Sequence, residues 1–238
     1  TSKIRLLKET DSLNIDAKQK GNLAFRENPC LVEWVMSTRS HLPSHLSATS
    51  NFANQLLLAM PGMLDDNFAG SVVYLLEHTD KGAMGLVVNR PTELVLSTLF
   101  EKIELKLEIA PLLDQPVYYG GPVQVERGFV LHQTNSLDKY SSSLVIADGL
   151  TMTTSKDVLE AVASGNGPPK FMMTLGYSGW GAGQLEEEMA LNGWMNVPLS
   201  SAEMSNIIFD TPYTERYQRA IQNLGFDLSS LSGEAGHA

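Results

Sequence analysis

Leu175-Gly-Tyr-Ser-Gly-Trp-Gly-Ala-Gly-Gln-Leu-Glu-Glu-Glu188 follows the strand-like run Lys170–Leu175 with a glycine-rich turn, then a helix that opens on three carboxylates. A glycine turn at a helix N-terminus can aim backbone N–H groups at an anion. Here no Walker Lys-Ser/Thr follows, and Gly179-Trp-Gly-Ala-Gly183 lacks the Gly-x-Gly-x-x-Gly spacing. Glu186, Glu187 and Glu188 already satisfy the positive end of the helix dipole and would repel a phosphate. Gly176-Tyr-Ser178-Gly-Trp180 also sits where a hydrolase elbow would place its nucleophile. That elbow needs glycine where Trp180 stands, and the only histidine downstream is His237, in the tail. The favoured reading is structural. Gly179, Gly181 and Gly183 permit unusual backbone angles while Trp180 packs over the turn, a reading compatible with a binding cleft floored by the same turn.

Working outward from this stretch, short apolar runs alternate with turns. Leu56–Met60 stops at Pro61-Gly62, and Ser71–Leu76 and Met84–Val88 read as strands joined by the five-residue connection His78–Gly82. Val117–Tyr119 leads into Gly120-Gly121-Pro122, and Arg127–His132 and Ser143–Ile146 read as further strands. Asp148-Gly149 has the chemistry of a two-residue hairpin turn. Thr154-Ser155 is placed to cap a helix with Val158, Ala161 and Val162 on one face. Gln184–Asn192 and Tyr213–Leu224 read as helices closed by Gly193 and Gly225. Many strands joined by tight turns, with helices interspersed, predict an α+β single domain built on a strongly bent mixed β-sheet.

The 238 residues carry a formal net charge of −10, unevenly spread. Residues 1–50 hold seven Lys/Arg against five Asp/Glu, whereas residues 51–238 hold ten against twenty-two. So acidic a body repels a phosphate backbone, which disfavours direct nucleic-acid binding. Cys30, the only cysteine, excludes an intrachain disulfide and a Cys-based zinc site. No apolar run reaches the roughly 18 residues of a membrane span, so a cytoplasmic location with no membrane association is expected. Residues 1–50 lack sustained periodicity and read as an upstream-derived extension, mobile over much of its length. Residues 51–228 form the domain, and 229–238 a loose tail.

Other residues offer chemistry in isolation. Arg90, in Asn89-Arg90-Pro91 at a strand end, is a possible fork for a carboxylate or phosphate, or an ion-pair partner of Glu126 or Glu186. Glu77-His78 with Asp80 lacks metal-ligand spacing, so neither metal nor cofactor is expected. Tyr213, Arg216, Tyr217 and Arg219 read as a solvated helix face with aromatic anchors.

The series Ala59-Met-Pro-Gly-Met63, Gly82-Ala-Met-Gly85 through Asn89-Arg-Pro91, Gly120-Gly-Pro-Val123 and Leu175-Gly-Tyr-Ser-Gly-Trp180 through Glu188 resembles the AlgH/YqgE family of bacterial proteins. The resemblance runs in order from about Asn51 to Phe226. It implies an α+β fold whose bent sheet forms a pseudo-barrel with several helices around it. Family members are largely uncharacterised and often labelled transcriptional regulators, and no catalytic residues carry over. Many have a cysteine before the Glu-His of the first hairpin. Leu76 stands there, which argues against a thiol-based role.

These readings converge on a regulatory or adaptor domain that acts through a protein partner or small ligand rather than catalysis. Asn89, Arg90, Gly121, Tyr177 and Trp180 are the candidate recognition surface. The alternatives are a hydrolase using Ser178 and a direct DNA-binding regulator.

Overall fold

Leu56, Leu57, Leu58 and Ala59 are all buried, so the strand they form is covered on both faces and cannot show a polar-apolar alternation. In the computed structural model, which describes residues 51–134, 139–147 and 149–225, this strand is β1 (Leu56–Ala59). The extension 1–50, the tail 229–238 and Asp148 lie outside the described residues. Antiparallel neighbours flank β1: β2 (Val72–Thr79) and β10 (Trp194–Val197). The sheet continues through β3 (Gly82–Val87), β9 (Phe171–Gly181), β6 (Val123–Gln133), β8 (Leu150–Thr153) and β7 (Ser143–Ala147). Two further strands, β4 (Pro91–Val95) and β5 (Pro116–Tyr119), pair with each other, and β5 also lies parallel to β9. The result is a single α+β domain whose curled, almost wholly antiparallel sheet closes into a half-barrel.

Among the described residues six helices pack around it: α1 (Leu96–Lys102), α2 (Ala110–Leu113), α3 (Asp157–Ala163), α4 (Gln184–Ala190), α5 (Ser201–Ser205) and α6 (Arg216–Gln222). A π-helical turn, Asn206–Asp210, links α5 toward α6. Successive strand residues alternate between layers, as period-2 geometry requires. Leu56, Leu58, Tyr74 and Leu86 meet Met204, Ile208 and Ile221 on the inner face. Leu57, Val73, Leu75 and Val87 meet Trp180, Trp194 and Phe68 on the other. Across the second half of the sheet, Val117, Val130 and Met173 pack under α1 and α3.

The main departure from the sequence reading concerns β9. The expected turn after Leu175 is absent: the chain stays extended to Gly181, and Ser178 lies inside the strand. The residue that bends is Gly176 (φ +72°). It resets the side-chain alternation, so Met173 packs in the layer under α1 and α3 while Tyr177 turns to the inner face. Opposite it, β6 shifts register between Val123 and Gly128. Of the three glycines expected to need unusual angles, only Gly183 (φ +75°) has one.

Two smaller differences have local causes. The β2–β3 connection is shorter than expected, because Glu77, His78 and Thr79 pair with Met84, Ala83 and Gly82 beyond a bulge at Leu76. Ser155 does not cap α3 directly. It donates to Asp157 Oδ1, and the Asp157 carboxylate also takes the N–H and hydroxyl of Ser141. The buried face of α3 is Val158, Leu159 and Val162, with Ala161 half-buried.

Candidate functional site

Asn89 and Arg90 do not present a free fork. Asn89 Oδ1 accepts from Val72 N at 2.8 Å, and its Nδ2 donates to Gly70 O at 2.9 Å. Arg90 donates through Nη1 to Asp66 O (3.0 Å) and Asn67 O (2.8 Å), and through Nη2 to Ala69 O (2.9 Å). Neither expected ion pair forms, since Glu186 instead takes His78 Nε2 at 2.9 Å. The pair Asn89-Arg90 is therefore a clamp on residues 65–70. Replacing Arg90 by Ala is expected to cost about 1–2 kcal/mol and to speed amide exchange in residues 65–70. Lysine should rescue little, because one ammonium cannot span three carbonyls in a fixed fork. Hydrogen exchange read by mass spectrometry checks both.

The clamped loop carries Phe68, which stacks on Trp180 (ring centroids 6.1 Å) and meets Trp194 edge-on (5.3 Å). Trp180 is 5% exposed and donates its indole N–H to Glu188 Oε2 at 2.9 Å. The loop thus links Arg90 to Trp180, one on each side of it. Tyr177 lies on the opposite face of the sheet, edge-on to Phe129 at 5.7 Å, with Arg127 as its charged neighbour. Gly121 (φ +151°) lies directly over the Tyr177 backbone. The five expected residues are thus distributed over two faces and do not form one exposed surface, because Tyr177 and Trp180, an odd number of residues apart in one strand, alternate to opposite sides of the sheet. Ser178 is fully buried and its hydroxyl donates to Gly120 O at 3.1 Å.

Where the C-terminal segment crosses the sheet, β5, β9, α1 and α2 enclose with it a cleft of about 250 Å³. Arg216 forms part of its wall and is only 4% exposed. The guanidinium donates from Nε to Thr211 O at 2.9 Å and from Nη1 to Val88 O, and stands 5.2 Å from the centroid of the Tyr118 ring. Burial pulls its pKa below the ordinary arginine value, and Tyr118 opposes that shift. It stays charged at neutral pH, yet no carboxylate among the described residues forms an ion pair with it. Lys170 lies on the wall as well, paired with Asp210 at 2.6 Å. Tyr118 and Gln115 complete the polar lining, and the apolar lining includes Leu96, Leu112, Phe171, Met173 and Phe209. Among the described residues no Asp or Glu lines the cleft, although the body of the protein has more than twice as many acids as bases.

The local sequence explains this geometry. Thr211 N reaches back five residues to Asn206 O at 2.9 Å, making the π turn. That turn places Ile208 and Phe209 on the wall and brings Thr211 O to Arg216. The sequence reading had put Arg216 on a solvated helix face, and this is corrected: Arg216 and Ala220, four residues apart, share the buried face of α6. That spacing was the available signal. Tyr118, Lys170 and Phe209 gave none, since they come together only through tertiary packing.

With the geometry in place, the comparisons with known proteins are consistent. A family model described as AlgH-like matches residues 56–229. A UPF0301 protein of Cupriavidus pinatubonensis is 60% identical over 191 residues, covering 80% of this chain and 97% of that relative. Another from Ralstonia nicotianae matches at the same identity and coverage. The solution structure of the AlgH protein from Pseudomonas aeruginosa is 45% identical, with a TM-score of 0.64 over 82% of this chain and all of that one. The crystal structure of a protein from Corynebacterium diphtheriae is 18% identical, with a TM-score of 0.57 over 80% of this chain and 94% of that one, a likeness of fold.

Proposed function

The chain belongs to the AlgH-like family, and on that premise we propose that it is a cytosolic regulatory domain that works by binding a small anionic ligand in the Arg216 cleft, not by catalysis. One observation carries this reading: a cleft whose wall holds the buried guanidinium of Arg216 with no ion-pair partner among the described residues, in a body that is otherwise strongly acidic. Low-dielectric walls focus that local positive potential. A buried guanidinium without a carboxylate is costly unless something compensates it, and an anionic ligand would do so. Among the described residues the lining holds no His, Ser, Cys or carboxylate, and its Lys170 is paired with Asp210, which supports binding over turnover. Asn89, Arg90, Gly121, Tyr177 and Trp180 serve, on this reading, as the frame: Val88, whose carbonyl Arg216 holds, directly precedes the Asn89-Arg90 clamp. A protein partner would read the liganded state.

The test compares small molecules that co-purify with the wild-type chain and with Leu112→Trp. Leu112 is half-buried on the cleft wall and takes no part in the Arg216 hydrogen bonds, so the larger ring is chosen to fill the cleft while leaving those bonds' own partners unchanged. An anion enriched with wild type and lost from the folded variant is the expected result. Identical small-molecule content in both would remove the proposal.

A further inference from the structure

We propose that the ligand of this cleft is an amphipathic monocarboxylate of roughly eight to ten non-hydrogen atoms, its carboxylate on Arg216 and its hydrocarbon part against the apolar wall. The proposal rests on the reading of the cleft as a ligand site and adds the chemistry of what fills it.

Arginine has five N–H donors, and Arg216 has committed two of them to Thr211 O and Val88 O, with the Tyr118 hydroxyl as a third partner. No more than two remain, the number a carboxylate takes in a fork. A phosphate dianion needs donors for three terminal oxygens. The other ammonium on the wall, Lys170, is already paired with Asp210, and no glycine-rich loop supplies N–H groups there. A single negative charge also neutralises the single unpaired cation without leaving an excess buried charge.

Beside the polar groups of Gln115, Tyr118 and Lys170, the apolar part of the wall is formed by Leu96, Leu112, Phe171, Met173, Ile208 and Phe209. A second polar group set against these apolar side chains would be desolvated without a partner, at a cost in affinity. The cleft volume of about 250 Å³, set against ~30 Å³ for a water molecule in the liquid, sets the size. Methionine and the π turn give this wall some freedom to adapt to chain length or a small ring.

The experiment is an NMR titration of the full chain with three probes of one chain length: octanoate, octanol and octyl phosphate, repeated on Leu112→Trp. Octanoate should bind at the cleft about tenfold or more tighter than octanol, the scale of a charge-assisted hydrogen bond. It should also bind more tightly than octyl phosphate, and the Leu112→Trp variant should lose all three. Octanoate and octanol binding equally would overturn the carboxylate while leaving a ligand cleft in place. Octyl phosphate binding more tightly would overturn it in favour of a phosphate. No cleft response to any probe would overturn the cleft reading itself. If shifts persist in Leu112→Trp, the probes bind elsewhere, and the proposal fails on location.

Discussion

Gly121→Ala is expected to destabilise the fold more than any other single substitution considered for this chain. A Cβ at this position would meet Tyr177 C at 2.2 Å, Tyr177 O at 2.3 Å and Ser178 N at 2.4 Å. All three are backbone atoms of β9, which is held from both sides by β3 and β6 and cannot move aside without breaking a ladder. The φ of +151° adds strain for any residue with a side chain. We expect a loss of about 4 kcal/mol or more, at the far end of what single substitutions cost. For a domain of this size that lowers the melting temperature by roughly 8–16 °C. Gly62→Ala is the matched control: a Cβ there meets nothing within 4 Å, and the change should stay within about 0.5 kcal/mol. Thermal unfolding of the two variants beside wild type checks the contrast. Equal melting temperatures would mean that β9 and the Gly120-Gly121 segment are not so close.

Glu188 should give the second large effect. Its Oε2 accepts the indole N–H of Trp180 at 2.9 Å and of Trp194 at 2.8 Å, and its Oε1 accepts from Gln184 Nε2 at 2.9 Å. Only 9% exposed, it is the joint between α4, β9 and β10. Glu188→Leu leaves three donors without an acceptor in a largely apolar layer, and about 3 kcal/mol or more is expected. Glu188→Gln should cost less, about 1–2 kcal/mol. The carboxamide oxygen can face both indoles, but its NH₂ then opposes Gln184, whose own oxygen is held by Gly181 N at 3.0 Å. Urea unfolding followed by tryptophan fluorescence reports the loss and, in the folded baseline, the changed indole environment. A Leu variant as stable as wild type would contradict the assignment.

These two residues also show what the sequence made legible. Gly120-Gly121 and the glycines of β9 stand out because backbone constraints leave a mark in residue identity. The α+β class and the bent sheet followed from tight turns between short apolar runs, and the family resemblance came from the same glycine motifs. What the sequence concealed was direction. Gly176, not the Gly179–Gly183 stretch, carries the bend, and because the chain stays extended past it, strand alternation put Tyr177 and Trp180 on opposite faces. Likewise Glu188 read as a carboxylate opening a helix, whereas its oxygens join two indoles that lie 14 residues apart in sequence. Arg216 looked like a surface charge because charge outweighs periodicity in a seven-residue helix. Its cleft depends on strands and helices distant in sequence, and no local pattern records that.

The most direct test of the account follows the side-chain Nε–H resonances of Arg216, Arg90 and Arg127 by NMR while octanoate is added to the full chain. Arg216 is expected to shift and saturate while Arg90, held by three backbone carbonyls, and Arg127, over the Phe129 ring and outside the cleft wall, stay in place. A shift at Arg90 or Arg127 with Arg216 unmoved would contradict it and move the ligand site elsewhere.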